Sequence, residues 1–374
     1  MIKLVFQIFS VLLIVALAVL GGFRLHAWQQ EAKSADEMAP ANGKFVETLN
    51  GKIHVSIWGA ADGQPIVMTH GMAAWGGLWE ETAITLAKNG YRVIAVDQAP
   101  FGFSDRYDTD FSRSRQAQRI ASLVSAMGLQ NYILVGHSYG GGVAAETALR
   151  SPDQLSGLVL ICPVMVLAGE GDDIVKNTVP FPLNVPWLAE VLVSATITNP
   201  LLTGFLTRQF MHQKDALTAR HVEILQRPMA LKGNTEHMVI WLGQFLAGDP
   251  TAFSRQRENL SKLKVPVALI WGEQDQVTPI RQGEELAKII NLSSFIKLKN
   301  IGHMPQLEAP ERFSKALLDS IEAIGRPEIG RPRVGGQGIE RLGIERPGIE
   351  RLGIKRPGNQ PSEKLPMALR EGFD

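Results

Sequence analysis

From residue 44 to residue 325, short apolar runs alternate with stretches of helical spacing. Residues 44–49 and 52–58 alternate apolar and polar positions around Asn50-Gly51, the pattern of a β-hairpin turn. Residues 65–69, 92–96, 132–135, 157–162, 266–271 and 294–298 also read as strands. Most of these are continuous apolar runs, as strands buried on both faces of a sheet tend to be. Helical spacing fills the intervals. Residues 79–89 end at Gly90, and 114–127 place Ile120, Leu123, Val124 and Met127 on one face. A further helix opens at Val143, and 310–324 turns Phe313, Leu317, Ile321 and Ile324 inward before Gly325. Buried strands alternating with helices predict an α/β fold with a parallel sheet covered on both faces.

The rhythm breaks after Pro163. Residues 164–249 lack clear strands, carry Pro180, Pro182, Pro186 and Pro200, and have helical stretches at 187–195 and 216–226. This predicts a helical cap inserted over the carboxyl edge of the sheet. The core is then residues 44–163 and 250–325, with 164–249 as the cap.

The ends differ from this body. Residues 4–23 are almost wholly apolar, interrupted only by Gln7 and Ser10. A helix of about 20 apolar residues can span a bilayer. Segment 1–24 is therefore expected to be a single-pass membrane anchor. The competing reading is a signal peptide cleaved after Ala16-Leu17-Ala18, which would give a secreted or periplasmic protein. The basic residues on the two flanks barely differ in number, so membrane orientation stays open. Residues 25–43 are polar and read as a tether. Residues 338–358 repeat a five-residue unit of the type Gly-Ile-Glu-Arg-Leu/Pro. A Gly at every fifth position with recurring Pro suits neither helix nor sheet, so 326–374 is expected to be a disordered, low-complexity tail.

Charge and composition narrow the chemistry. The 374 residues carry a formal net charge of +1, and no basic patch with interleaved aromatics appears. A nucleic-acid partner is not expected. The single cysteine, Cys162, cannot form an internal disulfide and ends a buried strand, the place of a small core residue. The eight histidines show no His-Glu-x-x-His spacing, so no metal and no cofactor are expected.

The sharpest pattern is Gly136-x-Ser138-x-Gly140, set between the 132–135 strand and the helix from Val143. Strand, tight turn and helix start together form the setting in which a serine hydroxyl is presented as a nucleophile. A serine needs a base within hydrogen-bond reach, and the base needs an orienting carboxylate. Asp275 follows the 266–271 strand in Gly272-Glu273-Gln274-Asp275. His303 follows the 294–298 strand in Gly302-His303-Met304. In this reading His303 takes the Ser138 proton, Asp275 fixes the imidazole, and the backbone N–H groups of Met72 and Tyr139 hold the oxyanion. Asp249 is the alternative acid. Asp97 reads as closing its loop through hydrogen bonds, and His137 as packing against the elbow.

These motifs resemble the α/β-hydrolase fold superfamily, in its helical-cap branch. The likeness covers residues 45–325 and rests on His70-Gly71, on Asp97 to Asp105 with Pro100, Gly102 and Ser104, on the Ser138 elbow, and on the Asp275 and His303 loops. Gln98-Ala99 departs from the residues common before the Pro-x-Gly turn. The resemblance implies a mostly parallel eight-stranded sheet flanked by helices, with a helical cap. It also implies hydrolysis through an acyl-serine, with His70 as a loop organiser rather than a catalyst. Relatives with an aspartate nucleophile are excluded by Ser138. The expected substrate is a small apolar carboxylic ester or related acyl compound. Carbon–carbon hydrolysis of the meta-cleavage type and a ligand-binding role on a hydrolase scaffold are the alternatives.

Overall fold

The computed structural model describes residues 2–165, 167 and 178–325. The 326–374 tail and part of the expected cap, residues 166 and 168–177, lie outside the described residues. The strands are β1 (Gly43–Thr48), β2 (Gly51–Trp58), β3 (Gln64–Thr69), β4 (Tyr91–Val96), β5 (Tyr132–His137), β6 (Leu155–Ile161), β7 (Val267–Gly272) and β8 (Leu292–Leu298). They form one eight-stranded sheet in the order β1-β2-β4-β3-β5-β6-β7-β8. The β1–β2 and β2–β4 pairings are antiparallel, and the remaining five are parallel. The α/β architecture expected from the pattern is the one observed.

The helices in chain order are α1 (Ile2–Gln30), α2 (Ala35–Met38), α3 (Glu80–Lys88), α4 (Arg113–Ala126), α5 (Tyr139–Arg150), α6 (Pro186–Ala195) and α7 (Thr203–Gln209). They continue with α8 (Ala219–Gln226), α9 (Asn234–Ala247), α10 (Arg257–Leu260), α11 (Ile280–Ala287), α12 (Pro305–Glu308) and α13 (Pro310–Gly325). Successive strand side chains point to opposite faces, so each apolar run supplies two cores. Val67, Ile94, Leu134 and Leu158 pack with Ile120 and Leu123 of α4 and Val143 of α5. Ile66, Met68, Val93, Ile133 and Val159 pack with Leu86 of α3 and Phe313 and Leu317 of α13. Helices on both faces explain why the central strands lack alternation.

Helices α6 to α9 occupy the insertion between β6 and β7, with no strand among its described residues. Helix α1 is long and apolar enough to cross a membrane. The stretch read as a polar tether, together with Arg24 before it, makes specific contacts with the insertion. The Arg24 guanidinium pairs with Glu190 of α6 at 2.7 Å. Glu31 accepts the backbone N–H of Thr235 at 2.9 Å and also its hydroxyl. Thr235 lies in the first turn of α9, where N–H groups lack intrahelical acceptors and a carboxylate is favoured. Burial raises the Glu31 carboxyl above its ordinary value, opposed by these Thr235 bonds and by Arg24 and Arg106. Lys33 then bridges to Leu231, and Ser34 caps α2. Polarity alone suggested a linker; the polar groups have specific partners instead.

Candidate active site

The parallel strands β3, β5, β7 and β8 all end at one edge, and each is followed by a loop that carries a polar group. The turn after β5 is the tightest. Ser138 adopts φ 53° and ψ −120°, a left-handed conformation costly for a side chain with a Cβ. A Cβ on Gly136 would lie 2.5 Å from the Gly140 carbonyl oxygen. One on Gly140 would lie 2.5 Å from the His70 carbonyl oxygen. Both positions therefore need glycine. The Ser138 N–H donates to Ile161 O of β6, and the Thr69 hydroxyl donates to Gly140 O, which pins the turn.

The structure brings Ser138, Asp275 and His303 together. His303 Nε2 lies 2.8 Å from Ser138 Oγ, and His303 Nδ1 lies 2.7 Å from Asp275 Oδ2. An acceptor on Nδ1 places the ring proton there and leaves Nε2 to accept the serine hydroxyl. Asp275 is anchored in turn: Val277 N and Thr278 N donate to Oδ1, and the Thr278 hydroxyl donates to Oδ2. Burial pushes the Asp275 carboxyl up. The hydrogen bond and charge of His303 and the bonds from Thr278 more than offset this and hold it below the usual carboxylate range. All three side chains are buried.

Tyr139 is the first residue of α5, so its N–H is one of those at a helix start with no intrahelical acceptor. The loop after β3 packs closely on the elbow, since a Cβ on Gly71 would lie 3.2 Å from Ser138 Cβ. Met72 lines the same cavity as Ser138. His70 holds this loop: Gln98 N donates to its Nε2 at 3.0 Å, and its Nδ1 donates to Gly71 O at 2.8 Å. Burial lowers its pKa, so the ring is neutral and can accept. Asp97 accepts from Gly76 N and Phe103 N and faces His54 Nδ1, which closes the loop after β4. Asp249, the alternative acid, is committed elsewhere. It accepts from Ser114 N at the start of α4 and from Thr251.

The cavity beside Ser138 measures about 1150 Å³ including its open mouth. Strand-end residues His70, Met72 and His303 form one wall. Leu206, Phe210, Leu225, Met229, Trp241 and Leu242 of the insertion form another, so helices α7 to α9 roof the carboxyl edge.

A sequence profile of the family described as alpha/beta hydrolase fold matches residues 64–310. The chain belongs to the α/β-hydrolase fold family. Over 290 residues it is 27% identical to the 2-hydroxy-6-oxononadienedioate/2-hydroxy-6-oxononatrienedioate hydrolase of Paraburkholderia phymatum, a match covering 75% of this chain and 95% of that one. Over 269 residues it is 28% identical to the monoacylglycerol lipase ABHD6 of Mus musculus, covering 69% and 76% respectively. A solved bacterial membrane phospholipase A superposes with a TM-score of 0.60 at 21% identity, over 87% of this chain and 99% of that one. The relatives are hydrolases, and this chain is an α/β-hydrolase enzyme.

Two residues support the site of this α/β hydrolase: Glu308, which the sequence does not announce, and His137, which it announces only as packing. Glu308 is buried and accepts the N–H groups of Gly302, Met304, His212 and Gln213, which ties the His303 loop to the insertion. His137 lies 2.7 Å through Nε2 from His303 O, with Gln306 Nε2 at 3.4 Å from its Nδ1. Burial, then the neighbouring His303, pushes its pKa down to about 3. The neutral ring therefore donates from Nε2 and fixes the His303 backbone. Among the described residues, Cys162, Asp275 and His303 bring metal-ligand atoms within 4.8 Å of one another. Asp275 and His303 direct those atoms at each other, and burial followed by the Asp275 charge pushes the Cys162 thiol well up. A neutral thiol is a poor metal ligand.

Proposed function

We propose that this α/β hydrolase is a membrane-anchored serine hydrolase that cleaves esters of apolar acyl groups through an acyl-enzyme on Ser138. The observation that carries this reading is the Ser138–His303–Asp275 hydrogen-bonded relay opening onto a cavity walled largely by apolar side chains.

Ser138 Oγ attacks the ester carbonyl carbon while its proton moves to His303 Nε2. The imidazolium is stabilised by the Asp275 carboxylate. The Met72 and Tyr139 N–H groups receive the developing oxyanion, each worth roughly 3 kcal/mol of barrier lowering. Collapse breaks the bond to the alcohol oxygen, which leaves with the proton from His303. Water then enters, gives its proton to His303, and releases the acid from Ser138 with the serine proton restored.

An acyl chain is the group that suits Leu206, Phe210, Leu225, Trp241 and Leu242. The named activity of the mouse lipase relative is consistent with this choice. The Paraburkholderia relative is named for a dioate substrate, which calls for cationic side chains in the cavity. None of the described residues lining the cavity is Lys or Arg, so the ester reading is favoured over carbon–carbon hydrolysis. Helix α1 supplies the anchor.

The test is a panel of p-nitrophenyl esters of graded acyl length with the full chain in detergent or vesicles. Turnover should rise from short to medium chains. It should fall by about 10⁴-fold or more in Ser138→Ala. Turnover that survives Ser138→Ala overturns the acyl-serine route; no turnover of any ester favours a ligand-binding role on this scaffold.

A further inference from the structure

Outside α1, the large apolar or aromatic side chains at least 60% exposed among the described residues are Leu49, Tyr107, Phe181, Trp187, Leu201 and Phe205. The last four fall in one stretch of 25 residues, 181–205. The charge pattern points the same way. Residues 178–207 contain a single charged side chain, Glu190, in a chain that is 20% charged. That charge is paired with Arg24 of α1 at 2.7 Å. Singly exposed apolar residues are ordinary on a protein surface; a cluster of them on uncharged chain marks contact with something apolar.

The Arg24–Glu190 pair fixes the level of this surface. The apolar run 4–23 is about 30 Å long as a helix, the thickness of the hydrocarbon core. Arg24 follows directly and so stands at the boundary. Trp28, about 6 Å further along the helix and exposed, is the residue type that favours that boundary. Glu190 ties α6 to Arg24, and Trp187 lies about one helical turn from Glu190 on the same helix, within reach of that boundary. Helices α6 and α7 are bent by 48° to one another and are together apolar enough in composition for a lipid environment.

We propose that the face formed by Phe181, Trp187, Leu201 and Phe205 is seated in the bilayer that α1 spans, at the boundary on the Arg24 side. The occupant of this face is therefore lipid. The inference rests on the reading of α1 as an anchor and adds a second, independent membrane contact to it. It also joins the membrane to the cavity. Thr203, Leu206 and Thr207 of α7 line the cavity, while Phe205 of the same helix is exposed. One thin helix thus has the catalytic cavity on one side and lipid on the other, which suits a substrate that enters from the bilayer.

The test uses the full chain reconstituted in phosphatidylcholine vesicles. Cys162 is fully buried and its thiol is protonated, so an introduced cysteine is the one reactive site among the described residues. A fluorophore is placed in turn on Leu201→Cys, Phe205→Cys, Val15→Cys in α1, and Leu49→Cys at the tip of the β1–β2 hairpin. Phospholipids brominated on their acyl chains then serve as quenchers. The proposal expects loss of fluorescence at 15, 201 and 205 and none at 49. Quenching at 15 with 201 and 205 as bright as 49 overturns the lipid-seated face and leaves the anchor standing. The same result would follow if a second copy of the chain covered the face. No quenching at 15 overturns the anchor and, with it, the placement of the face.

Discussion

At the scale of single residues, the site depends on backbone positions that only glycine can fill. Ser138 is held in its left-handed conformation by neighbours that leave no room for a Cβ at 136 or 140. Holding a non-glycine residue there costs about 1–3 kcal/mol, recovered from the surrounding hydrogen bonds. Gly140→Ala should therefore lower stability by about 2 kcal/mol or more in urea unfolding. It should also reduce turnover of any ester, because the His70 carbonyl it displaces belongs to the Met72 loop. A variant with unchanged urea midpoint and turnover contradicts this account of the elbow. The elbow was legible in the sequence because its chemistry is local: Gly136, Ser138 and Gly140 are set by one turn. Asp275 and His303 were legible for a related reason, since each follows an apolar run that ends at the same edge. The support given by His137 was legible only as packing, because its acceptor, the His303 carbonyl, is 166 positions away.

At the scale of elements, the loop between β8 and α13 decides whether His303 is in place. Its backbone converges on the Glu308 carboxylate, with two buried N–H donors from the loop itself and two part-buried ones from the insertion. Glu308→Ala strands the two buried donors at roughly 1–3 kcal/mol each. The expected outcome is a stability loss of about 3 kcal/mol by urea unfolding, with kcat falling more than KM rises. Glu308→Gln, which keeps one acceptor oxygen, should recover part of both. Equal stability and kcat in the alanine variant would contradict the role. No periodicity announces such a residue, because its partners are backbone N–H groups, two in its own loop and two about 96 positions away. The same limit applies to residues 25–43. Their polarity reads as a linker, while Glu31 and Lys33 have partners beyond residue 230. Strand ends were legible to within a few positions. Strand β8 begins at Leu292, two residues before the expected start, because Leu292 is cut off from the apolar run at Phe295 by Ser293 and Ser294.

At the scale of the whole molecule, buried neutral histidines tie stability to pH. Burial, with the His303 neighbour, holds His137 at about 3, and burial lowers His70. Unfolded imidazoles titrate near pH 6.5. Below that value the unfolded chain binds protons that the folded chain refuses, so stability is complete above about pH 6.5 and declines as pH falls toward 3. The depressed Asp275 carboxyl adds to the decline at the acid end, since its contribution is present above the unfolded carboxyl value and is lost through the folded one. Tm should be level above about pH 6.5 and drop below it, with a shallower slope in His137→Asn. A flat Tm down to about pH 4 contradicts the assignment of neutral buried rings. The central claim is that a membrane-held chain makes one serine nucleophilic through groups more than a hundred positions away. Its most direct test is a fluorophosphonate reacted with the folded full chain in vesicles, followed by peptide mass analysis. The account predicts one adduct, on Ser138, formed far more slowly in His303→Ala. An unlabelled protein beside a labelled control hydrolase, or an adduct on any other residue, would contradict it.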